Sequence, residues 1–268
     1  LGLGSDHVEK VASDDHGRIR PEQMPELGEA ALVIAQAGDV NSGAIDPIGA
    51  ICERAHASGS WVHVDGAFGL WARVLPSMRD ACAGIENADS WSLDAHKTLN
   101  APYDSGIILC RHREALMAAF QASAAYLRGS ERRDGMNYKP SMSNRARAVE
   151  LWAVLKTLGR RGVQELVEQL CQNARYFAKR LKDEGFHIHN DVVLNQVLVS
   201  CGQDELTTAT LRNIQSSGEC WCGGSTWHNQ AVIRISVCDW ATKPEEIERS
   251  VRAFVHARSA ATAAPSAF

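Results

Sequence analysis

Short apolar runs alternate with polar turns in the first part of the chain. Residues 31–36 form an apolar run typical of a strand buried on both faces of a parallel sheet. Asp46 and Pro47 predict a helix start, with Asp46 as the cap and Pro47 at the first helical position. Residues 61–64 predict a second strand, which ends at Asp65. A strand, a helix and a strand in this order indicate a βαβ unit in a parallel sheet.

Two more strands are predicted after this unit. Residues 88–93 and 106–110 are short and apolar, and they flank a polar turn that contains Asp94, His96 and Lys97. The pattern extends the sheet, so the N-terminal part of the chain is predicted to be an α/β structure.

The middle of the chain has helical periodicity. Residues 141–158 predict an amphipathic helix, with an apolar stripe formed by Ala148, Leu151, Trp152, Leu155 and Leu158. Residues 163–181 predict a second, longer helix, because apolar residues recur there at helical spacing. Two long helices in succession indicate a change of domain near residue 160.

The C-terminal part has a different pattern. Residues 192–200 and 231–237 predict strands, and Thr242 with Glu245 predicts a capping box that opens a final helix. We therefore expect residues 1–160 to belong to a large domain and residues 161–258 to form a small α+β domain. Residues 259–268 are rich in Ala and Ser, and we expect a disordered tail there.

Composition narrows the class of function. The chain has 45% hydrophobic and 22% charged residues with a net charge of −4, as in an ordinary globular protein. Lys and Arg are dispersed, and no apolar stretch reaches the ~20 residues that span a bilayer, so neither a nucleic-acid nor a membrane partner is expected. The eight cysteines are scattered through apolar segments, which favours a reducing, cytoplasmic location. Small-molecule chemistry is the better expectation.

Asp65 and Lys97 are the candidate chemical groups. Asp65 lies at the carboxyl end of a predicted strand, where α/β sheets bind ligands, and its carboxylate could keep a pyridine nitrogen protonated. A loop aspartate that caps the next segment is the alternative. Lys97 lies in a turn between two apolar strands, a partly desolvated setting that suits a nucleophilic amine, although a surface lysine is the alternative.

No metal site is expected. Cys220 and Cys222 lie near His228, but their spacing matches no common zinc pattern, and a pair of loop thiols is the simpler interpretation.

Three blocks of the sequence resemble one enzyme family. Residues 37–47 (AGDVNSGAIDP), 61–71 (WVHVDGAFGLW) and 92–105 (SLDAHKTLNAPYDS) are similar, in order and spacing, to the turn, aspartate and lysine blocks of the group II pyridoxal-phosphate-dependent amino-acid decarboxylases. This fold-type-I family includes the aromatic-L-amino-acid and glutamate decarboxylases. The resemblance covers nearly the whole chain.

The resemblance implies a fold, an activity and an assembly. The fold would be a three-layer α/β/α large domain, present in part, with a small α+β C-terminal domain. The activity would be decarboxylation of an L-amino acid by a homodimer with its active site at the interface. Because Leu1 is not a methionine, we expect the family's N-terminal part to be missing here. Another fold-type-I activity, aminotransferase or carbon–sulfur lyase, and a catalytically incompetent fragment remain alternatives.

The resemblance also assigns residues. It implies that Lys97 forms the Schiff base with pyridoxal phosphate and that Asp65 pairs with the pyridine nitrogen. Ala67 would pack on the ring, and His96 would neighbour the cofactor or its phosphate. Asn41 and Ser42 fall where the family's first turn lines the cofactor.

Residues 126–140 resemble the family's mobile catalytic loop. A tyrosine in that loop is the family's proton donor, and Tyr138 is the candidate here, although Gly135 also fits the aligned position. A half-buried ring at a helix entrance is the alternative interpretation of Tyr138. Arg234 lies where related enzymes carry an arginine near the substrate carboxylate, and a structural ion pair is the alternative there.

Overall fold

The computed structural model describes residues 4–28, 30–120 and 133–263. The part of the predicted loop at residues 126–132 lies outside these ranges. The helices and strands, in chain order, are β1 Leu32–Gln36, α1 Ile48–His56, β2 Trp61–Asp65, β3 Ser90–Asp94, β4 Gly106–Cys110, α2 Arg113–Phe120, α3 Ala148–Asp183, β5 His187–Ile188, β6 Gln196–Ser200, α4 Asp204–Ser217, β7 Gly223–Trp227, β8 Gln230–Ser236 and α5 Pro244–Ala263.

The first sheet has the strand order β1-β2-β3-β4. β1, β2 and β3 run parallel, and β4 runs antiparallel to β3. The predicted α/β class and βαβ unit are confirmed. The antiparallel direction follows from the short connection between β3 and β4, since a parallel crossover needs a dozen or more residues and a helix.

Strand β1 is not buried on both faces, as the apolar run had predicted. Val33 and Ala35 are buried against α1, whereas Leu32 and Ile34 are 49% and 58% exposed. Side chains alternate between the faces of a strand, so the two sets point in opposite directions. Within the described residues, nothing covers the second face of this edge strand.

Asp46 does not cap α1. The helix starts one residue later than predicted, with Pro47 at the cap position and no side-chain cap hydrogen bond. Asp46 is buried, and its two carboxylate oxygens accept the backbone N–H groups of Ile19 at 2.7 Å and Gln36 at 2.6 Å. Burial raises the pKa of Asp46, and these two bonds oppose the rise. The residue ties the N-terminal segment to β1.

The two predicted middle helices form one element, α3, with a break at Gly159. The φ of 59° at Gly159 lies in the left-handed region that favours glycine. The first half begins at Ala148, not at residue 141, and its predicted stripe is not fully buried, since Trp152 is 65% and Leu155 is 38% exposed. The second half buries Val163, Val167 and Leu170 as the pattern predicts.

The C-terminal sheet has the strand order β5-β6-β8-β7 and is antiparallel throughout. Its core is a cluster of buried residues from α3, the sheet and α5. Helix α4 and strand β7 were not predicted, because their apolar positions are few. The predicted capping box is displaced by one residue, since Glu246 accepts the backbone N–H of Lys243 at 2.7 Å. Helix α5 continues to Ala263, so residues 259–263 are helical and not part of a disordered tail.

In the described part of the chain, no helix combines the length and the apolar character needed to cross a membrane.

Candidate active site

Asp65 and Lys97 are brought to the same edge of the first sheet. Asp65 is the last residue of β2 and is in register with Ser92 of β3. Lys97 follows Asp94, the last residue of β3, by three positions. The carboxyl ends of neighbouring parallel strands form the usual ligand site of an α/β sheet, so the two predicted groups share that site.

The chain turns tightly after Asp65. Gly66 packs directly on β3, where its N–H donates to the Ser92 carbonyl at 2.8 Å. A Cβ atom at Gly66 would lie 2.5 Å from the Cβ of Leu70, so only glycine fits without movement. Ala67 donates its N–H to Asp65 Oδ1 at 3.0 Å and is partly exposed. Among the described residues, Asp65 Oδ2 has no hydrogen-bond partner and remains available to a ligand.

Lys97 is held by a carboxylate and an aromatic ring. Its Nζ lies 2.8 Å from Asp94 Oδ2 and 4.5 Å from the centroid of the Phe68 ring. The Lys97 side chain is 26% exposed. The amine is therefore partly desolvated, in line with the predicted setting, and it has a counter-charge that the sequence analysis did not assign.

His96 is fixed inside the turn that follows β3. Its Nδ1 accepts the backbone N–H of Ser105 at 3.1 Å, and its Nε2 lies 3.6 Å from Asp94 Oδ2. The ring is in contact with the Tyr103 ring, with centroids 4.1 Å apart. Its side chain is only 14% exposed. His96 therefore supports the turn that carries Lys97 and has little surface for a ligand.

Asn41 and Ser42 lie in the turn between β1 and α1, and they differ in whether their side chains are free to contact a ligand. Asp39 Oδ1 accepts the backbone N–H groups of both residues and the Ser42 hydroxyl. Ser42 is 2% exposed, and its hydroxyl also accepts the Ala44 N–H, so it is committed to the turn. Asn41 Oδ1 is buried without a hydrogen-bond partner among the described residues. Asn41 is the better candidate for contact with a ligand.

Tyr138 lies against α2. Its hydroxyl accepts Arg113 Nε at 2.8 Å and is 3.5 Å from Met117 Sδ. The Arg133 guanidinium lies 4.7 Å from the centroid of the ring. None of these contacts joins Tyr138 to Asp65 or Lys97, so the structure does not bring this residue together with the other predicted groups.

Arg234 on β8 does not form the structural ion pair considered above. Within the described residues it has no acidic partner, and its Nη1 donates to the Ser236 hydroxyl at 3.2 Å and to the Val40 carbonyl at 3.4 Å. The guanidinium thus reaches the turn that contains Asn41.

The charge of Lys97 affects the pKa of the thiol of Cys238, a residue that follows β8. Burial raises the pKa of the Cys238 thiol to about 11, while a hydrogen bond from Asn195 and the charges of Lys97 and Arg234 lower it in part. On β2, burial lowers the pKa of His63, and the Asp65 carboxylate opposes that shift. The Cys238 thiol is therefore influenced by charges from both the Lys97 turn and β8.

A family model described as the pyridoxal-dependent decarboxylase conserved domain matches residues 7–201. The chain belongs to this family. The family resemblance stated from the three sequence blocks is therefore confirmed.

Known pyridoxal-dependent decarboxylases match most of this chain. Aromatic-L-amino-acid decarboxylase of Drosophila lebanonensis is 26% identical over 261 residues, covering 92% of this chain and 65% of the relative. L-2,4-diaminobutyrate decarboxylase of Rhizobium meliloti is 30% identical over 246 residues, covering 87% of this chain and 47% of the relative. The chain thus spans about half to two thirds of the length of these relatives.

Solved structures confirm the fold-type-I prediction. Mouse CSAD aligns with a TM-score of 0.85 at 22% identity, over 96% of this chain and 60% of that structure. Oryza sativa TDC with PLP and tryptamine aligns with a TM-score of 0.80 at 21% identity, over 86% of this chain and 51% of that structure.

The residues present fit the cofactor that gives the decarboxylase family its name. Among the described residues, the Lys97 amine lies in the turn after β3, an Asp65 carboxylate oxygen without a hydrogen-bond partner lies at the end of β2, and the buried Asn41 amide oxygen without a partner lies in the turn after β1. The sequence analysis missed Asp94, Phe68 and Asn100 as neighbours of Lys97. Asp94 and Asn100 each lie three residues from Lys97, and this spacing was the local signal available; Phe68 had none.

Proposed function

We propose that the protein containing this chain decarboxylates an L-amino acid to the corresponding amine and carbon dioxide, with pyridoxal phosphate as cofactor. The observation that carries the proposal is the position of Asp65 and Lys97 on neighbouring strand ends, inside the region that matches the decarboxylase family. The family match supports the reaction class, and the substrate class is an amino acid.

Each residue has a separate task in this proposal. Pyridoxal phosphate, when bound, supplies an aldehyde that takes up amines and a ring that accepts the electron pair left by the departing carboxylate. Lys97 Nζ is the amine that would hold the cofactor covalently, since a partly desolvated lysine is suited to attack an aldehyde. Asp65 keeps a proton on the pyridine nitrogen, because an adjacent carboxylate favours the charged form of the ring.

The remaining residues contact the ligand or hold the turns around it. Ala67 offers a flat surface to the ring, and the Asn41 amide oxygen accepts a hydrogen bond from the ligand. Ser42 and His96 hold the two turns in which Asn41 and Lys97 lie. Once the Tyr138 hydroxyl has separated from Arg113, it would donate a proton to the substrate carbon. Lys97 is the alternative proton donor.

The proposal includes an assembly, a location and a division into domains. We infer a homodimer with the active site at the interface, because Trp152 and Val149 on α3 present exposed apolar surface. We infer a cytoplasmic location from the eight cysteines, which are all unpaired. The break at Gly159 supports the domain boundary predicted near residue 160. Sedimentation and limited proteolysis measure the assembly and the boundary.

The decisive experiment locates the cofactor. The chain is expressed by itself and within any longer reading frame that contains it, pyridoxal phosphate is added, and borohydride reduction with peptide mapping identifies the modified lysine. The proposal expects a visible absorbance band and a reduced adduct on Lys97. Lys97→Ala should abolish both, whereas Lys156→Ala, which removes an exposed lysine of α3, should change neither.

Product analysis then tests the reaction. A panel of carboxyl-labelled aromatic, acidic and basic amino acids should release labelled carbon dioxide and leave the amine. If the adduct forms on Lys97 but the products are an oxo acid or sulfide, the activity would be that of an aminotransferase or a carbon–sulfur lyase and not a decarboxylase. No adduct on Lys97 in either form of the protein would refute the proposal.

A further inference from the structure

The turn that carries Lys97 is joined to the sheet at its base, and within the turn Asn100 donates its backbone N–H to the Lys97 carbonyl at 3.2 Å. Ala95 donates its N–H to the Ser105 carbonyl at 2.9 Å, and Ala101 donates to the Ala95 carbonyl at 3.1 Å. Residues 96–100 project beyond these bonds, outside the ladder that joins β3 to β4. The main chain at Lys97 therefore depends on contacts from other parts of the molecule for its position.

Asn100 supplies contacts of this kind with both ends of its carboxamide. Its Nδ2 donates to the Lys97 carbonyl at 2.9 Å and to the Cys238 carbonyl at 2.5 Å. Its Oδ1 accepts the backbone N–H of Trp240 at 3.0 Å. One side chain thus joins the Lys97 turn to a segment 140 residues further along the chain.

The backbone of Asn100 suits this arrangement. Its φ of 53° lies in the left-handed region, which asparagine tolerates better than most residues other than glycine. The residue is therefore adapted to the turn by its backbone and to the distant segment by its side chain. These two properties can be separated by substitution, since glycine retains the first and loses the second.

The segment that Asn100 binds is itself anchored. Val237 donates its N–H to the Asn195 carbonyl at 2.9 Å, and Asn195 Nδ2 donates to the Val237 carbonyl at 3.0 Å and lies 3.3 Å from Cys238 Sγ. Asn195 is buried. Asn100 therefore fixes the turn to the C-terminal sheet and not to a loose strand end.

A second contact fixes the turn from the side of Asp65. The Thr98 hydroxyl donates to the Phe68 carbonyl at 3.3 Å, and Thr98 is buried. Lys97 thus lies between two attachments: Thr98 to the segment after β2, and Asn100 to the segment after β8. Of these two hydrogen-bonded attachments, the second joins the Lys97 turn to the segment after β8, and Leu99 of the same turn also packs in a cluster with Leu194.

We propose that Asn100 is a positioning residue for Lys97, which sets the place of the amine by binding the turn to Cys238 and Trp240. The inference rests on the proposed function, in which Lys97 attaches the cofactor. A displacement of ~1 Å at a reacting group can cost ~10²-fold in rate, so a side chain that fixes the main chain of that group has a large effect without touching substrate.

Two substitutions separate positioning from simple turn formation. Asn100→Gly keeps the left-handed backbone and removes both ends of the carboxamide. Asn100→Asp keeps an oxygen for the Trp240 N–H and places a carboxylate against the Lys97 and Cys238 carbonyls. Asn229→Gly is the matched control, because Asn229 has a φ of 64° in the turn between β7 and β8.

The first measurement uses the chain without cofactor. Lysine acylation with peptide mapping gives the labelling rate of Lys97 relative to exposed Lys156, and hydrogen exchange gives the protection of the Trp240 amide. Asn100→Gly should raise the labelling of Lys97 and the exchange at Trp240 by ~10-fold or more each. Asn100→Asp should raise the labelling of Lys97 but retain protection at Trp240. Asn229→Gly should leave both unchanged.

The second measurement is the concentration of pyridoxal phosphate that gives half-maximal adduct on Lys97. Both Asn100 variants should need ~10-fold more cofactor than the unmodified chain and the Asn229→Gly control. The inference would be overturned if, in both Asn100 variants, the cofactor concentration for half-maximal adduct and the labelling rate of Lys97 stayed within ~2-fold of the unmodified chain. Absence of adduct both in the unmodified chain and within a longer reading frame would overturn the proposed function instead, and the labelling experiment would still decide whether Asn100 positions Lys97.

Discussion

Lys97 Nζ and Asp94 Oδ2 form an ion pair of 2.8 Å at the carboxyl end of β3. Both side chains are about one quarter exposed, at 26% and 24%, so solvent weakens the pair without removing it. The carboxylate and an incoming aldehyde compete for the same amine. Asp94 is therefore expected to restrain Lys97 until the cofactor arrives.

Asp94→Asn should speed cofactor attachment. An ion pair of this exposure contributes about 0–1 kcal/mol, so its removal should raise the rate of appearance of the visible band by up to ~5-fold in a stopped-flow experiment. Asp183→Asn is the control, because Asp183 forms a similar 2.8 Å pair with Lys179 in α3. Slower attachment in Asp94→Asn would mean that the carboxylate activates Lys97.

Tyr138→Phe tests the proton donor. The substitution removes only the hydroxyl that Arg113 binds, so the amount of cofactor on Lys97 should stay the same. Turnover should fall by about 10²-fold or more if the phenol delivers the proton, which is the usual contribution of a general acid. Tyr176→Phe is the control, since that hydroxyl binds Glu248 in the C-terminal part. Unchanged turnover would assign Tyr138 to packing against α2.

Gly69→Ala should destabilise the fold. A Cβ atom at Gly69 would lie 2.4 Å from the Ala37 carbonyl oxygen, and backbone on both sides leaves no flexible atom to move. The expected loss is about 1–3 kcal/mol in the free energy of unfolding, measured by urea denaturation. Gly28→Ala should change it by less than about 0.5 kcal/mol, because no described residue beyond its chain neighbours has an atom within 4 Å of a Cβ there. Equal losses in the two variants would contradict this explanation.

Asp89 should make the stability of the fold depend on acid pH. Burial favours a raised pKa, but hydrogen bonds from the Val62 N–H, His112 and His56 outweigh it, so the pKa lies below its ordinary value of 3.8. The ionised Asp89 carboxylate is therefore more stable in the folded protein than in the unfolded chain. This stabilisation is complete above pH 3.8 and is lost as the pH falls through the lowered value.

Asp89→Asn provides the measurement. It should lower the free energy of unfolding by about 1.5–3 kcal/mol at neutral pH, the range for hydrogen bonds to a charged group. The difference from the unmodified chain should shrink as urea titrations move below pH 3.8. Asp6→Asn, at an exposed aspartate, should have little effect at any pH. A difference that stays constant with pH would exclude the carboxylate as its cause.

Local sequence was sufficient to predict most of the first sheet. The limits predicted for β2 and β4 agree with the structure within one residue, because alternating apolar positions and the turns beside them are properties of neighbouring residues. The motifs around Asp65 and Lys97 could also be recognised locally, because each lies within one short block of the sequence. Helix α4 and β7 were missed because few apolar residues mark them, and packing against β8 and α5 decides their conformation.

The sequence by itself therefore determined the fold class and the family, and it predicted Asp65 and Lys97 as the central residues of the candidate site. Only the tertiary structure decided the use of Asp46 as a partner for distant N–H groups and the placement of Tyr138 against α2. It also decided that Asn100 reaches Trp240. The physical reason is common to these cases: each depends on which donor or acceptor, far away in the chain, the packed sheets bring within about 3 Å, and no local pattern encodes that distance.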